Sequence, residues 1–242
     1  MGFPRVVVSV TSSVDARVTV GRRRLLMDAE AGAVWRGLRP AGADDAEAAR
    51  SALIEELYAP TAILEGSGTF VTVDAGPLEL PEAEGVFEDF LPEPPAGHRK
   101  WFTVVDGRGR VEWTQQGDGV TNLLLLVARS TPARYLAYLR REGIPYLVAG
   151  DERVDLRLAL QRMYDVLGVT CVLSEAGGGL NGALLRAGLV DELHLVVLPA
   201  AVGGAGVPTV FDGEEGAPVE LKLVSAEPTA DGVLGLRYEV VK

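Results

Sequence analysis

Of 242 residues only one is a cysteine, Cys171, and only two are histidines, His98 and His194. A lone cysteine excludes an intrachain disulfide and suits a reducing compartment. The two histidines lie far apart with no paired-ligand spacing around either, so no metal motif is present. No run of about 18 or more uncharged apolar residues occurs, which leaves no transmembrane candidate. The opening MGFPRVVVSV lacks a charged region, apolar helix and cleavage site in series, which argues against secretion. Together these absences predict a cytoplasmic protein with no membrane partner.

Positive charge is also scarce. The chain carries 23 Lys and Arg against 34 Asp and Glu, a formal net charge of −11. Such a surface repels a nucleic-acid backbone. Arg22-Arg23-Arg24 is too short for a nucleic-acid stripe. It reads either as a solvated loop or as a local anion site for a substrate phosphate.

What is present is an alternation of β-rich and helical segments. Arg5–Val10 is a near-continuous β-branched run, as in a strand buried on both faces. Ala46–Tyr58 carries Ala48, Ala52, Leu53 and Leu57 at helical spacing, with Asp44 and Asp45 available as N-caps. Thr61–Leu64 reads as a short strand, and residues 75–99, rich in Pro, Gly and Glu, as a loop or insertion. Trp101–Asp106 and Arg110–Thr114 flank Gly107-Arg108-Gly109 and predict a hairpin. Leu123–Ala128, Pro145–Ala149 and Val169–Leu173 read as strands. Pro132–Arg141 and Leu156–Leu167 read as helices, the second stopped by Gly168. Val219–Ser225 and Val233–Val241 form an expected antiparallel pair. The order predicts an α/β fold of one domain, 1–242, with a mainly parallel sheet and helices on both faces.

The segment from Val172 to Pro199 is a strand, a glycine turn, a helix and a second strand. Gly177-Gly178-Gly179 would let the backbone approach a ligand without Cβ interference. The helix that starts near Leu180 would present unpaired N–H groups and a partial positive charge, an arrangement suited to a pyrophosphate. Glycine turns also serve as plain connections, and this one is not the G-x-G-x-x-G pattern.

More specific is a resemblance. Glu175–Leu185, then Gly188-Leu189-Val190-Asp191-Glu192-Leu193, then Pro199 and Gly203-Gly204, resemble the C-terminal signature of the dihydrofolate-reductase-like pyrimidine reductases of riboflavin biosynthesis. Ser13-Val14-Asp15-Ala16-Arg17-Val18 is similar to that family's first-strand motif, and Gly66-Ser67-Gly68-Thr69 to its cofactor turn. The resemblance implies a three-layer dihydrofolate-reductase-like fold with a central, mainly parallel sheet and an antiparallel C-terminal hairpin. It also implies a homodimer, and a nicotinamide cofactor, NADPH with NADH possible, donating hydride to a small pyrimidine or pterin. The implied substrate is a riboflavin-pathway ribosylaminopyrimidine 5′-phosphate; the alternatives are a catalytically degenerate member that binds nucleotide as a sensor or assembly part and, second, folate reduction proper.

By the same resemblance Gly177, Gly178, Gly179, Leu180, Asn181, Gly182 and Ala183 would hold the pyrophosphate. Thr69 would bond the cofactor, and Ser130 would lie near the adenosine ribose or 2′-phosphate. Asp15 and Glu175 would be catalytic and would face the substrate, with Ser13 shaping that pocket and Arg23 a candidate for the substrate phosphate. On the residues alone, Asp15 could equally form a turn and Glu175 cap a helix. Ala16 stands where the family usually has glycine, so the turn there is expected to differ. Glu55 and Glu56 stand where the family commonly has a basic helix. The zinc-deaminase pattern His-x-Glu and Pro-Cys-x-x-Cys is absent, which excludes deamination. Cys171, His194 and the tryptophans read as packing residues, and Asp191 and Glu192 as strand-capping ones.

Overall fold

Apolar runs become strands wherever both of their faces find cover. In Arg5–Ser13, Val6, Val7 and Val8 have no exposed surface, as a β-branched run buried on both sides requires. A computed structural model describes every residue except Met1, Arg22, Gly85 and Glu215. In chain order the elements are β1 (Arg5–Ser13), α1 (Ala29–Gly37), α2 (Gly42–Tyr58), β2 (Ala62–Gly66), β3 (Lys100–Val105), β4 (Thr121–Val127), α3 (Ala133–Arg141), β5 (Tyr146–Val148), α4 (Leu156–Leu167), β6 (Cys171–Ser174), α5 (Gly178–Arg186), β7 (Glu192–Leu198), β8 (Leu221–Pro228) and β9 (Leu234–Val240). They fall into two compact units, one of residues 1–4, 61–67 and 74–172, the other of 5–60, 68–73 and 173–242.

The first unit holds four parallel strands in the order β5-β4-β3-β2. Leu124, Leu125, Leu126 and Val127 are fully buried in β4. α3 turns Tyr135, Leu136, Tyr138 and Leu139 inward. α4 begins where Asp155 accepts the Leu158 N–H at 3.0 Å and ends at Gly168, whose φ of +67° favours glycine. The expected hairpin at Gly107–Gly109 is corrected: β3 pairs parallel with β2 and β4, and no strand forms at 110–114. The cause is Asp106, 1% exposed, whose Oδ2 accepts the N–H groups of Arg110 (2.8 Å) and Val111 (3.0 Å) and the Tyr135 hydroxyl (3.0 Å). These bonds occupy the backbone that a second strand would have needed. Among the described residues of 75–99 the only pairing is a bridge between Phe90 and Tyr146, in keeping with the loop expected there.

In the second unit β1 and β7 run parallel, from Val7 opposite Glu192 to Ser13 opposite Leu198. β9 then pairs antiparallel with β7, and β8 with β9. The mainly parallel sheet and the antiparallel C-terminal pair are as the sequence predicted.

Helix α2 needs two corrections. Its buried residues are Ala43 and Ile54, with Ala46, Glu47, Arg50 and Tyr58 half-buried, while Ala48, Ala52 and Leu57 face solvent. Of the four apolar residues expected to face inward, Ala48, Ala52 and Leu57 therefore lie on the outer side and only Leu53 is half-buried. Nor do Asp44 and Asp45 cap it: both lie in its first turn, and the Gly42 N–H donates to Asp231 Oδ2 at 2.7 Å. The cap comes from the β8–β9 turn, 189 residues along the chain.

A buried ionic group ties α2 to the strands of this unit. Glu192, 3% exposed, accepts from Arg5 Nη1 (2.8 Å), Arg237 Nε (3.0 Å) and the Tyr58 hydroxyl, with His194 Nε2 at 3.1 Å. Burial works against its charge, but the bonds from Arg237, Tyr58 and His194 outweigh it and lower the carboxyl below its ordinary range. Burial likewise lowers His194. Asp191 accepts the Val6 N–H at 2.7 Å and Lys242 Nζ at 2.6 Å. Both acids therefore hold strand ends together.

Candidate active site

The sequence motifs all begin where strands stop: Ser13 at the end of β1, Gly66 at the end of β2, Ser130 past β4 and Glu175 past β6. Ligands of open α/β sheets collect at such carboxyl ends. Ser130 belongs to the first unit, and its exposed hydroxyl donates to the Glu152 carbonyl at 2.8 Å. Gly66 and Ser67 also belong to the first unit, while Ser13, Asp15, Arg23, Thr69, Glu175 and residues 177–183 belong to the second.

At the glycine turn, Gly177 is extended and α5 starts at Gly178, two residues earlier than expected. The turn is locked from beneath. Buried Asn181 donates to the Ala176 carbonyl at 2.6 Å, and the Ser174 hydroxyl donates to Asn181 Oδ1 at 2.7 Å. Asn181 is thus fully engaged inside the fold and orients the turn from there.

The glycines divide into two kinds. A Cβ at Gly177 or Gly179 would meet nothing within 4 Å, and both residues are exposed. A Cβ at Gly178 would overlap the Thr209 carbonyl and lie 2.6 Å from Asp212 Oδ2, and one at Gly182 would overlap the Asp212 carbonyl. Gly178 and Gly182 are therefore small because residues 209–212 pack on them. Gly177 and Gly179 leave open backbone at a helix N-terminus, which is what an approaching phosphate needs. The residues present fit a dinucleotide. Thr69 lies in a single helical turn, Ser67–Thr69, and is half-buried.

The first motif is a closed turn. The Ser13 hydroxyl donates to Asp15 Oδ1 at 2.6 Å, and the Val202 and Gly203 N–H groups donate to its two oxygens at 3.0 and 2.7 Å. Arg17 Nε stands 3.5 Å from Oδ2. The Ser13 hydroxyl first, then these two N–H groups, hold the Asp15 carboxyl far below its ordinary value. Asp15 therefore stays ionised, and its oxygens are engaged with the segment after β7. Ala16 adopts φ +60°, so the turn keeps the left-handed shape that glycine would give, contrary to the expected change.

Glu175 is exposed at the end of β6. Its charge reaches Arg50, a residue the sequence reading missed. Arg50 Nη1 donates to Thr11 Oγ1 at 3.3 Å, near the end of β1. Burial lowers Arg50, while the charges of Glu47 and Glu175 oppose that shift. Glu47 accepts from the Thr11 hydroxyl and twice from Arg39, each at 2.8 Å, so Arg39 is consumed by Glu47 while Arg50 keeps donors to offer. The signal for Arg50 was in the sequence: Ala43, Glu47, Arg50 and Ile54 follow one helical stripe. Glu55 and Glu56, by contrast, face solvent. Arg23 is exposed, Arg24 pairs with Glu30 at 3.0 Å, and Arg22 lies outside the described residues.

A model of the RibD C-terminal domain matches residues 4–234. The chain belongs to that family. Among curated relatives, the 2,5-diamino-6-ribosylamino-4(3H)-pyrimidinone 5′-phosphate reductase of Methanothermobacter thermautotrophicus is 40% identical over 88 residues, 36% of this chain and 40% of that one. The chain spans half or less of the length of the curated relatives it matches. Among solved structures, Acinetobacter baumannii RibD superposes with a TM-score of 0.64 at 21% identity, covering all of this chain and 59% of that one. A pyrimidine reductase-like protein of Corynebacterium diphtheriae gives 0.62 at 16% identity, covering 99% and 92%. These likenesses show the family's fold. Among the described residues no helix is long and apolar enough to cross a membrane, and no group of three or more His, Cys, Asp or Glu could hold a metal ion.

Proposed function

We propose that the chain is a nicotinamide-dependent reductase of a ribosylaminopyrimidine 5′-phosphate or a closely related pyrimidine, with NADPH the preferred donor. The observation that carries this reading is the division of the glycines, which leaves Gly177 and Gly179 open at the N-terminus of α5. Membership of the family supports it, as does the name of the Methanothermobacter relative.

When bound, the dinucleotide supplies the hydride. The open N–H groups at Gly177 and Gly179 bind its pyrophosphate, with Thr69 a further contact. Glu175 grips ring or exocyclic N–H donors of the pyrimidine and orients it. Arg50, rather than the exposed Arg23, takes the substrate's anionic end, because its guanidinium is held at the site by Thr11 and keeps donors free. Asp15 and Ser13 hold the Val202–Gly203 backbone that borders the first motif. The chain acts as a homodimer, which exposed Leu221, Leu223 and Val224 on β8 support. Light scattering showing a monomer at working concentration would overturn that part.

Gly179→Ala tests the cofactor claim. The variant should keep the wild-type melting temperature, since the added methyl meets nothing in the fold. NADPH affinity should fall at least about tenfold, as a methyl in the phosphate's path would impose. Equal NADPH binding by both proteins would overturn the assignment of the turn. NADPH binding without oxidation, across pyrimidine and pterin acceptors, would instead favour a nucleotide-binding sensor.

A further inference from the structure

The segment after β7 is fastened to α5 by a small box. Asp212 N–H donates to the Gly178 carbonyl at 2.8 Å. The Asp212 carboxylate accepts the Thr209 N–H at Oδ2 (3.0 Å) and the Thr209 hydroxyl at Oδ1 (2.7 Å). Arg186 Nη1, at the far end of α5, donates to the Asp212 carbonyl at 2.9 Å. The same segment grips the first motif: the Val210 N–H donates to the Ala16 carbonyl at 3.1 Å, the Val18 N–H to the Pro208 carbonyl at 3.1 Å, and Arg17 to the Val207 carbonyl at 2.5 Å. Asp212 thus lies at the junction between the two motifs and rests its carboxylate on Gly178, the first residue of the glycine helix.

We propose that Asp212 is a positioning residue that sets how strongly the glycine helix holds the cofactor. It fastens the helix in place and also keeps a resident negative charge at the helix N-terminus. The inference rests on the reading of that turn as a dinucleotide site. A helix N-terminus attracts a carboxylate and a pyrophosphate for the same reason, so the two share one favourable field. Among the described residues no ion pair offsets the Asp212 charge, since its oxygens go to Thr209. Repulsion from it limits affinity for a dianionic bridge, which lets the oxidised dinucleotide leave.

The two roles of Asp212 separate cleanly in Asp212→Asn. The amide oxygen can take the Thr209 N–H while the amide nitrogen donates to the Thr209 oxygen, whose single proton then turns from residue 212 to the Phe211 carbonyl, 2.9 Å away. The box therefore survives and the charge is lost. NADPH binding to the full chain is followed by fluorescence, with melting temperature measured in parallel. Asp212→Asn should bind about three- to tenfold more tightly at low salt, as removal of one charge a few ångströms from two others implies, and the gain should shrink as salt is raised. Asp212→Ser, which drops the charge and one of the two bonds, serves as the second variant should the amide destabilise the chain. Thr209→Val keeps the charge and loosens the box. It should lower the melting temperature without tightening NADPH. If neither Asp212 variant that retains the wild-type melting temperature tightens binding, the inference fails while the cofactor reading stands. If wild-type chain binds neither NADPH nor NADH, both fail.

Discussion

The turns that follow β1 and β6 both carry one acidic residue straight after a strand, yet they are built in opposite ways. After β1 the turn is closed by side chains: Asp15 spends its oxygens on Ser13, Val202 and Gly203. After β6 the turn is open. Gly177 and Gly179 carry nothing, Glu175 is exposed, and the locking is done below the surface by Ser174 and Asn181. An acid in a motif is therefore not a role by itself. At Asp15 both oxygens are already held by the first motif and the segment after β7, whereas Glu175 stands on the exposed side of its turn.

Three measurements can break or sharpen this contrast. The largest effect is expected at Glu175. Glu175→Gln should lower turnover by about a hundredfold or more, the usual scale for a group that orients or protonates the reacting partner, with NADPH affinity nearly unchanged. A fall in melting temperature with turnover intact would return Glu175 to a capping role.

Asp15 should give a smaller effect of another kind. Asp15→Asn should raise KM more than it lowers kcat, because it loosens the Val202–Gly203 backbone rather than removing a reacting group. Its pH signature follows from the lowered carboxyl. The folded chain binds this proton more weakly than the unfolded one, so the stabilisation is present above the unfolded value of about 3.9. It is lost as pH falls below that value. Acid titration of the melting temperature should therefore be shallower in Asp15→Asn than in wild type below about pH 4. Parallel acid curves would remove the clasp from the account.

Ala16 should give the smallest effect. An alanine at φ +60° costs about 1 kcal/mol, part of which glycine gives back as extra freedom in the unfolded chain. Ala16→Gly should raise the melting temperature by a degree or two and leave turnover alone. A lower melting temperature would mean that the methyl makes a contact worth more than the strain.

Much of the fold was legible because burial writes itself into apolar runs. β1, β4 and β7 are such runs, and Leu156–Leu167 shows its stop signal at Gly168, while its Asp155 cap was read only from the structure. The hairpin at Gly107–Gly109 misled because a glycine turn between β-prone stretches looks the same whether or not a buried carboxylate such as Asp106 takes the backbone bonds. α2 misled for a different reason. Its inward stripe contains Glu47 and Arg50, polar residues that turn inward because Arg39 and Thr11 meet them there. In the candidate site the glycines and Glu175 were visible as motif. Arg50 was visible only as an interruption of an apolar stripe. Asp212 gave no signal, since an acid in a glycine-rich loop is ordinary and its importance lies in touching Gly178.

The bond from Gly42 to Asp231 has a consequence for how the chain comes off the ribosome. A helix that ends at Tyr58 waits for its N-terminal cap until Asp231 has been made. β1 waits too, since its parallel neighbour β7 begins at Glu192. The residues from 74 to 172, by contrast, emerge as one uninterrupted stretch with their strand partners already at hand. The nascent chain should therefore hold its first strand and helices in suspense, a stage at which apolar β1 is a ready partner for chaperones or for misassembly.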